Sequence, residues 1–377
     1  MQLSDFPGTE RDDGCVFTLN NKAYCFSGLD VNFQCQTNGF IFDGTSESWS
    51  NGMASLPVGK ERQYATAFSY SNTGYMLGGI NCSNVCLNDF WQYNSATNTW
   101  SALPDFPASG RQGMCNFILN NKAYIIGGRD AAGNVFNEVW EYSFATATWS
   151  QKSNLPFAGT WRGAAFEING IGYTCFGLRN DNGYNRNVYQ YDDTNDTWQL
   201  IPNINLPALR YIGCAITSNK AFMYGGMDSL NQISNTVHLF TPTVNTVATY
   251  SGIPTFARKG GIAFALNNKF YFTTGVTLTA RVKETWKNDQ FVGVEKNYTE
   301  AVGIDLFPNP TNSTITLKGN NLLGLTILNP LGQIVLYQKL HSSDTAVDLN
   351  ILPPAIYFVF IDTKEGIFQT KIVVRKE

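Results

Sequence analysis

One spacing constrains this chain more than any other feature. Glycine recurs at positions 28, 79, 128, 177, 226 and 275, at intervals of 51, 49, 49, 49 and 49 residues. Four residues before each stands an aromatic ring: Tyr24, Tyr75, Tyr124, Tyr173, Phe222 or Tyr271. Twenty-one residues after the first four glycines stand Trp49, Trp100, Trp149 and Trp198, replaced in the last two copies by Val247 and Lys296. The text before each glycine reads as a polar turn and an apolar strand, as in LNNKAYCFSG and LNNKAYIIGG, so each copy holds about four short strands. A lone four-stranded sheet cannot bury both faces until neighbours stack on it. A period near 50 therefore predicts one propeller blade per copy, and six blades. Glycine serves where the strand must end in a tight turn, and the tyrosine and tryptophan fill the wedge between blades. If each copy makes a whole blade, from the innermost strand DGCVFTL to a final QFVGVEK, the ring closes at a seam held by side-chain packing.

Composition agrees with an all-β chain. Aromatics make up 14% and there are 34 glycines, which favours pleated strands and tight turns. A net charge of −3 with 15% charged residues leaves no electrostatic footprint for nucleic acid. No apolar run approaches the roughly 20 residues of a spanning helix, so no transmembrane segment is expected. The start MQLSDFPGTE lacks a secretory leader, as expected of a mature or trimmed chain.

The period stops after GVEKNYTEAVG. We read residues 1–296 as the propeller, 297–303 as a linker, and 304–377 as a small antiparallel β-sandwich with strands at STITLKG, LTILNP, QIVLYQKL, AIYFVFID and FQTKIVVRK. The alternative for this tail is a carbohydrate-binding or adhesion sandwich.

Two resemblances attach to these residues. The glycine pairs, the aromatic four residues earlier and the later tryptophan resemble the kelch repeat, over roughly residues 3–296. Ser27, Phe176 and Thr274 stand where the first glycine of the pair is usual. The tail, with LFPNP, NPLGQIV, LPPAIYFVFI and the basic end KIVVRK, resembles the C-terminal sorting domain of the type IX secretion system, with Ala355 where a glycine is usual. That resemblance implies a Bacteroidota protein exported through the periplasm and recognised by the secretion machinery through residues 304–377. The mature protein is then extracellular or on the outer cell surface, and the resemblance implies a tail that can be cleaved, with the cargo released or attached to surface lipopolysaccharide.

Chemistry-bearing residues are sparse. The chain has two histidines, His238 and His341, in different domains, which argues against metal centres and triads; neither a metal nor a cofactor is expected, a kelch-type copper oxidase included. The acidic YDDTNDTW stretch from Tyr191 to Trp198 reads as turn chemistry, with calcium as the alternative. Arginine is the sharper signal. Arg11, Arg62, Arg111, Arg162, Arg210 and Arg258 each precede an innermost strand and are read here as one register, a ring around the central mouth whose planar forks suit a carboxylate. Cytosolic kelch adaptors that grip acidic peptides use arginines in this register. The competing reading is that each arginine fixes loop carbonyls or a neighbouring carboxylate.

Asp12, Asp13, Gln63, Tyr64, Gln112, Trp161, Tyr211 and Lys259 flank the ring, and polar groups beside aromatic platforms suit sugars. Among the eight cysteines, Cys15, Cys115 and Cys214, like Cys25 and Cys175, are expected as buried core. Cys82 and Cys86 share one loop and are the expected disulfide; Cys35, in the equivalent loop of the first copy, is the alternative partner for either.

The leading functional expectation is a secreted or cell-surface propeller that binds a glycan or acidic ligand through its arginine-bearing face. The loops between second and third strands are short, with little material for a built-up active site. A rival is a cofactor-free sugar enzyme, since sialic acid mutarotases also resemble six-bladed kelch proteins; Glu61 and Glu167 are its acid and base candidates. A third reading is a passive protein–protein adhesion scaffold.

Overall fold

The computed structural model describes residues 1–253, 255–288, 304–329, 334–340, 343–363 and 367–376. The chain divides into two compact units, Met1–Val292 and Gly293–Glu377.

In the first unit each repeat folds into one antiparallel sheet. Sheet 3 is typical, with strands Cys115–Leu119, Lys122–Ile126, Val139–Ser143 and Thr148–Lys152 paired in chain order. The innermost strands of the six sheets are Cys15–Leu19, Thr66–Tyr70, Cys115–Leu119, Ala164–Ile168, Gly213–Thr217 and Ile262–Leu266. Each lies against the next, and the last lies against the first, so the sheets form a closed propeller. Alternation explains the packing. In Cys115–Leu119 every second residue is buried, and Phe117 stacks on Tyr124 with ring centroids 5.1 Å apart. The repeat tryptophans do the wedging expected of them: Trp100 lies 5.2 Å from Phe26 and 6.2 Å from Phe17, both in the preceding sheet.

The repeat glycines carry a second duty. Gly28, Gly79, Gly128, Gly177, Gly226 and Gly275 all have φ between 93° and 104°. A Cβ on Gly28 would come within 2.6 Å of the Asp12 carbonyl, so the position admits no side chain. Each of these N–H groups donates across to the following sheet, to the carbonyls of Arg62, Arg111, Thr160, Leu209, Arg258 and, closing the circle, Arg11, at 2.8–3.2 Å. The preceding position is also left-handed, even where Ser27, Phe176 and Thr274 occupy it.

The seam corrects the expectation of closure by side-chain packing alone. The N-terminal segment runs along the outer edge of Thr285–Asn288, the third strand of sheet 6. Leu3 N–H donates to the Thr285 carbonyl at 2.9 Å and Lys287 N–H to the Met1 carbonyl at 2.8 Å. An exposed strand edge presents unpaired donors and acceptors, and the first residues of the chain satisfy them. Side chains add to this: Glu47 of sheet 1 takes Lys269 and Lys287, both at 2.8 Å, and the Tyr271 hydroxyl at 3.0 Å. The stretch QFVGVEK and the linker 297–303 lie outside the described residues.

The second unit is a sandwich of two antiparallel sheets. One has strands Asp305–Phe307, Thr314–Lys318 and Asp344–Asp348. The other is ordered Ile334–Lys339, Leu322–Leu328, Ala355–Thr363, Ile367–Val374. Its core alternates as a two-faced sheet must: Ile315 and Leu317 from one layer and Leu325, Ile327, Val359, Ile361 and Ile372 from the other are buried.

Candidate ligand-binding mouth

Three consecutive residues before each innermost strand form three concentric rings. Counting back from the strand starts, the anchor position holds Arg11, Arg62, Arg111, Thr160, Leu209 and Arg258. The middle position holds Asp12, Gln63, Gln112, Trp161, Arg210 and Lys259. The axial position holds Asp13, Tyr64, Gly113, Arg162, Tyr211 and Gly260. Every axial residue has φ between 57° and 64°. Each axial N–H donates to the axial carbonyl of the preceding sheet at 2.7–3.4 Å, so a second circle of six backbone hydrogen bonds surrounds the axis.

This register divides the six arginines. Four are anchors and are buried inside their own sheets. Arg62 is representative. Its Nε donates to the Lys60 carbonyl at 2.9 Å and Nη1 to the Gly78 carbonyl at 2.9 Å. The two Nη atoms also hold the Asp89 carboxylate at 2.5 and 2.9 Å. Trp91 Nε1 supports the same carboxylate at 2.9 Å. Burial pushes Asp89 up, but the hydrogen bonds and charge of Arg62 outweigh it and hold the carboxyl at about 2.

Arg111 repeats the pattern with Glu138 and Trp140, and Arg258 with Glu284 and Trp286. Arg11 uses Asn38 and the Ser27 carbonyl, and burial pulls it down to about 10. Where the anchor is Thr160 or Leu209, residues 187 and 236, which align with these carboxylates, are Asn187 and Thr236. The arginine and its acid are lost together, as a structural pair would be. Arg11, Arg62, Arg111 and Arg258 are therefore buried braces of their own sheets, at most 1% exposed.

Arg162 and Arg210 stand two positions and one position further in, and the structure gives them other surroundings. Across a ring of six, opposite axial positions form three diameters: Asp13 with Arg162, Tyr64 with Tyr211, Gly113 with Gly260. Arg162 pairs with the Asp13 carboxylate and lies between the two tyrosines, its guanidinium carbon 4.5 Å from each ring centroid. Burial pushes Asp13 up to about 7 against the pull of Arg162. The third diameter has no room for side chains, since a Cβ on Gly113 would lie 2.6 Å from Trp161 Nε1 and 2.8 Å from Arg162 Cδ. Asp13, Arg162 and Tyr211 cap a central cavity of about 200 Å³ whose wall includes Cys15, Cys115 and Cys214.

Outside this plug, cations gather around two rings. Arg129 and Arg210 lie 5.0 and 5.6 Å from the Trp161 centroid. Arg210 and Lys259 lie 5.5 and 4.4 Å from that of Tyr211. Arg129, Arg210 and Lys259 make no ion pair among the described residues. Burial pulls Lys259 down, opposed by the charges of Asp13 and Asp12. Asp12 itself is taken by Arg281 at 2.6 Å. The aromatic faces expected as sugar platforms are thus occupied: Tyr64 and Tyr211 by Arg162, and Tyr211 also by Lys259.

Gln112 and Trp161, both buried, belong to this mouth, as does half-buried Gln63, which the spacing places there with them. Glu61 and Glu167 do not form an acid–base pair there. Glu167 lies at the far end of its strand, accepting from Gly170 N–H in the hairpin at 2.5 Å, and among the described residues Glu61 makes no hydrogen bond or ion pair with the axial residues. Arg129 and the buried Asp13 carboxylate complete the mouth. The signal that separates the arginines was in the spacing: 17 residues to the repeat glycine for Arg11, Arg62, Arg111 and Arg258, but 15 for Arg162 and 16 for Arg210.

The disulfide is Cys35–Cys82, not Cys82–Cys86. Equivalent loops of sheets 1 and 2 lie side by side, bringing Cα atoms 47 residues apart in sequence to 5.8 Å. The Cys86 thiol instead lies 3.8 Å from the Arg129 carbonyl, toward sheet 3. Cys15, Cys25, Cys115 and Cys175 are buried and free, and Cys214 is half-buried and free. In the acidic hairpin Asp192 accepts the N–H groups of Thr194 and Asn195 at 3.0 and 3.2 Å, and Asp196 the Tyr191 hydroxyl at 2.5 Å.

The architecture and repeat define a β-propeller with an appended sandwich, and comparison with known proteins states which. Residues 4–160 match the KLHDC2/KLHL20/DRC7 Kelch-repeats domain, and residues 305–375 match the Secretion system C-terminal sorting domain. The chain carries kelch repeats followed by a type IX secretion C-terminal sorting domain, which directs it to the cell surface or the extracellular space. A curated relative is Kelch-like protein terF of Aspergillus terreus (strain NIH 2624 / FGSC A1156), 27% identical over 103 residues, which are 25% of this chain and 22% of that protein. The solved structure of YjhT superposes with a TM-score of 0.63 at 19% identity, covering 76% of this chain and 96% of that one, a likeness of fold. Among the described residues no helix is long and apolar enough to cross a membrane.

Proposed function

We propose that this exported propeller is a binding protein that captures an acidic ligand at its mouth. The observation that carries the reading is the cluster of Arg129, Arg210 and Lys259 around Trp161 and Tyr211, without a carboxylate partner among the described residues. Cations gathered in a half-buried site repel one another, and an incoming carboxylate relieves that repulsion and receives charge-assisted hydrogen bonds. Arg210 supplies the planar fork and Lys259 a point charge beside it. Calorimetric titration of the full chain with carboxylates and with neutral sugars of equal size tests this. Binding of carboxylates that weakens with salt and is lost in Arg210→Ala with Lys259→Ala supports it; equal binding of the neutral compounds refutes it.

A further inference from the structure

The middle ring is chemically divided. In order around the axis it reads Asp12, Gln63, Gln112, then Trp161, Arg210, Lys259. The first three offer acceptor oxygens, and the last three offer donors alone. Five buried polar atoms at the mouth have no hydrogen-bond partner: Gln63 Oε1, Gln112 Oε1, Trp161 Nε1, Arg162 Nε and Arg210 Nε. Gln112 is 9% exposed and Trp161 4%. An unmade buried hydrogen bond costs on the order of 1–3 kcal/mol, so a cluster of them, four in the middle ring and one on the axial Arg162, marks groups whose partner arrives from outside.

The acceptor half is also electrically neutral, because Arg281 already compensates Asp12. That selects a hydroxyl or amide donor over an ammonium group.

From this division, and resting on the reading of the mouth as an acid-binding site, we propose that the ligand is a hydroxylated acid of the acidic-sugar class. Its carboxylate faces Trp161, Arg210 and Lys259, and its hydroxyls donate to Gln63 and Gln112 across the ring. Recognition runs through hydrogen-bonding edges, because the tyrosine faces are already covered by Arg162 and Lys259. Gln63 and Gln112 are then the residues that distinguish a sugar acid from other carboxylates.

The test titrates the full chain with glucuronate, galacturonate and mannuronate, with cyclohexanecarboxylate, which keeps the acid and ring but no hydroxyls, and with β-alanine, which adds an ammonium. At least one uronate is expected to bind tenfold or more tightly than both others. Gln63→Leu with Gln112→Leu should abolish that preference while leaving cyclohexanecarboxylate binding and the melting midpoint near the parent values. If cyclohexanecarboxylate binds as tightly as every uronate, or the double variant keeps the preference, the sugar-acid assignment is overturned and the acid-binding reading stands. If β-alanine binds best, the neutrality argument is wrong. If no carboxylate binds, both readings fail together.

Discussion

Replacing Arg62 by methionine separates structure from ligand binding in a single residue. The substitution keeps most of the buried stem and removes the guanidinium that holds two carbonyls and Asp89, whose side chain is 16% exposed. Removing one partner of a buried ion pair costs about 3–5 kcal/mol, because the other charge is left without compensation. The pH dependence supplies an independent figure. Asp89 is held at about 2 against an ordinary 3.8, a gap of about 1.8 pH units. At about 1.36 kcal/mol per unit, the depression contributes roughly 2.4 kcal/mol at neutral pH.

A carboxylate with a lowered folded value contributes fully above the unfolded value and loses that contribution as pH falls through the folded one. The deficit of the variant should therefore narrow by about 1 kcal/mol between pH 7 and pH 3. Urea denaturation of parent and Arg62→Met at both pH values, with calorimetric binding of carboxylates to each folded protein, reads all three quantities. A variant within about 0.5 kcal/mol of the parent at pH 7, but with weakened carboxylate binding, would show that the anchor arginines face the ligand after all.

The remaining expectations are shorter. Peptide mapping of the non-reduced protein should recover Cys35 joined to Cys82 with Cys86 alkylatable, and Cys35→Ser should cost up to about 4 kcal/mol for a closed loop of this length; a Cys82–Cys86 peptide would contradict the structure. Gly113→Ala should lower the melting midpoint and disturb tryptophan fluorescence, since its new Cβ meets Trp161 and Arg162 at a positive φ; an unchanged spectrum would argue against the closed mouth. Deleting residues 305–377 should abolish delivery to the surface in the native host while the propeller still folds; normal surface delivery would refute the assignment of the tail.

Much of this was readable beforehand because the repeat enforces it. A glycine that must adopt positive φ and an aromatic that must fill a wedge recur once per sheet, so their spacing discloses the sheets. The division of the arginines is hard to read from spacing for a related reason. Six arginines at nearly the right interval looked like one register, and a slip of one or two residues, which moves Arg210 and Arg162 into other rings, is small beside a period of 49. The disulfide and the seam depend on which segments become neighbours once the ring is closed. Cys35 and Cys82 face each other only across two sheets, and Met1 to Leu3 carry no strand alternation of their own; the edge of Thr285–Asn288 draws them into an isolated β-bridge between Gln2 and Trp286.

The two circles of hydrogen bonds around the axis are made wholly by peptide groups, so neither asks anything of the side chains mounted on them beyond tolerance of the local backbone. The half-buried middle-ring side chains, Gln63, Arg210 and Lys259, are therefore interchangeable seats. Exchanging Gln63 or Lys259 for another polar residue alters what the mouth greets and leaves the hoop beneath it intact. A propeller built this way can be given a new taste one position at a time, with each trial variant still folded well enough to be exported and tried.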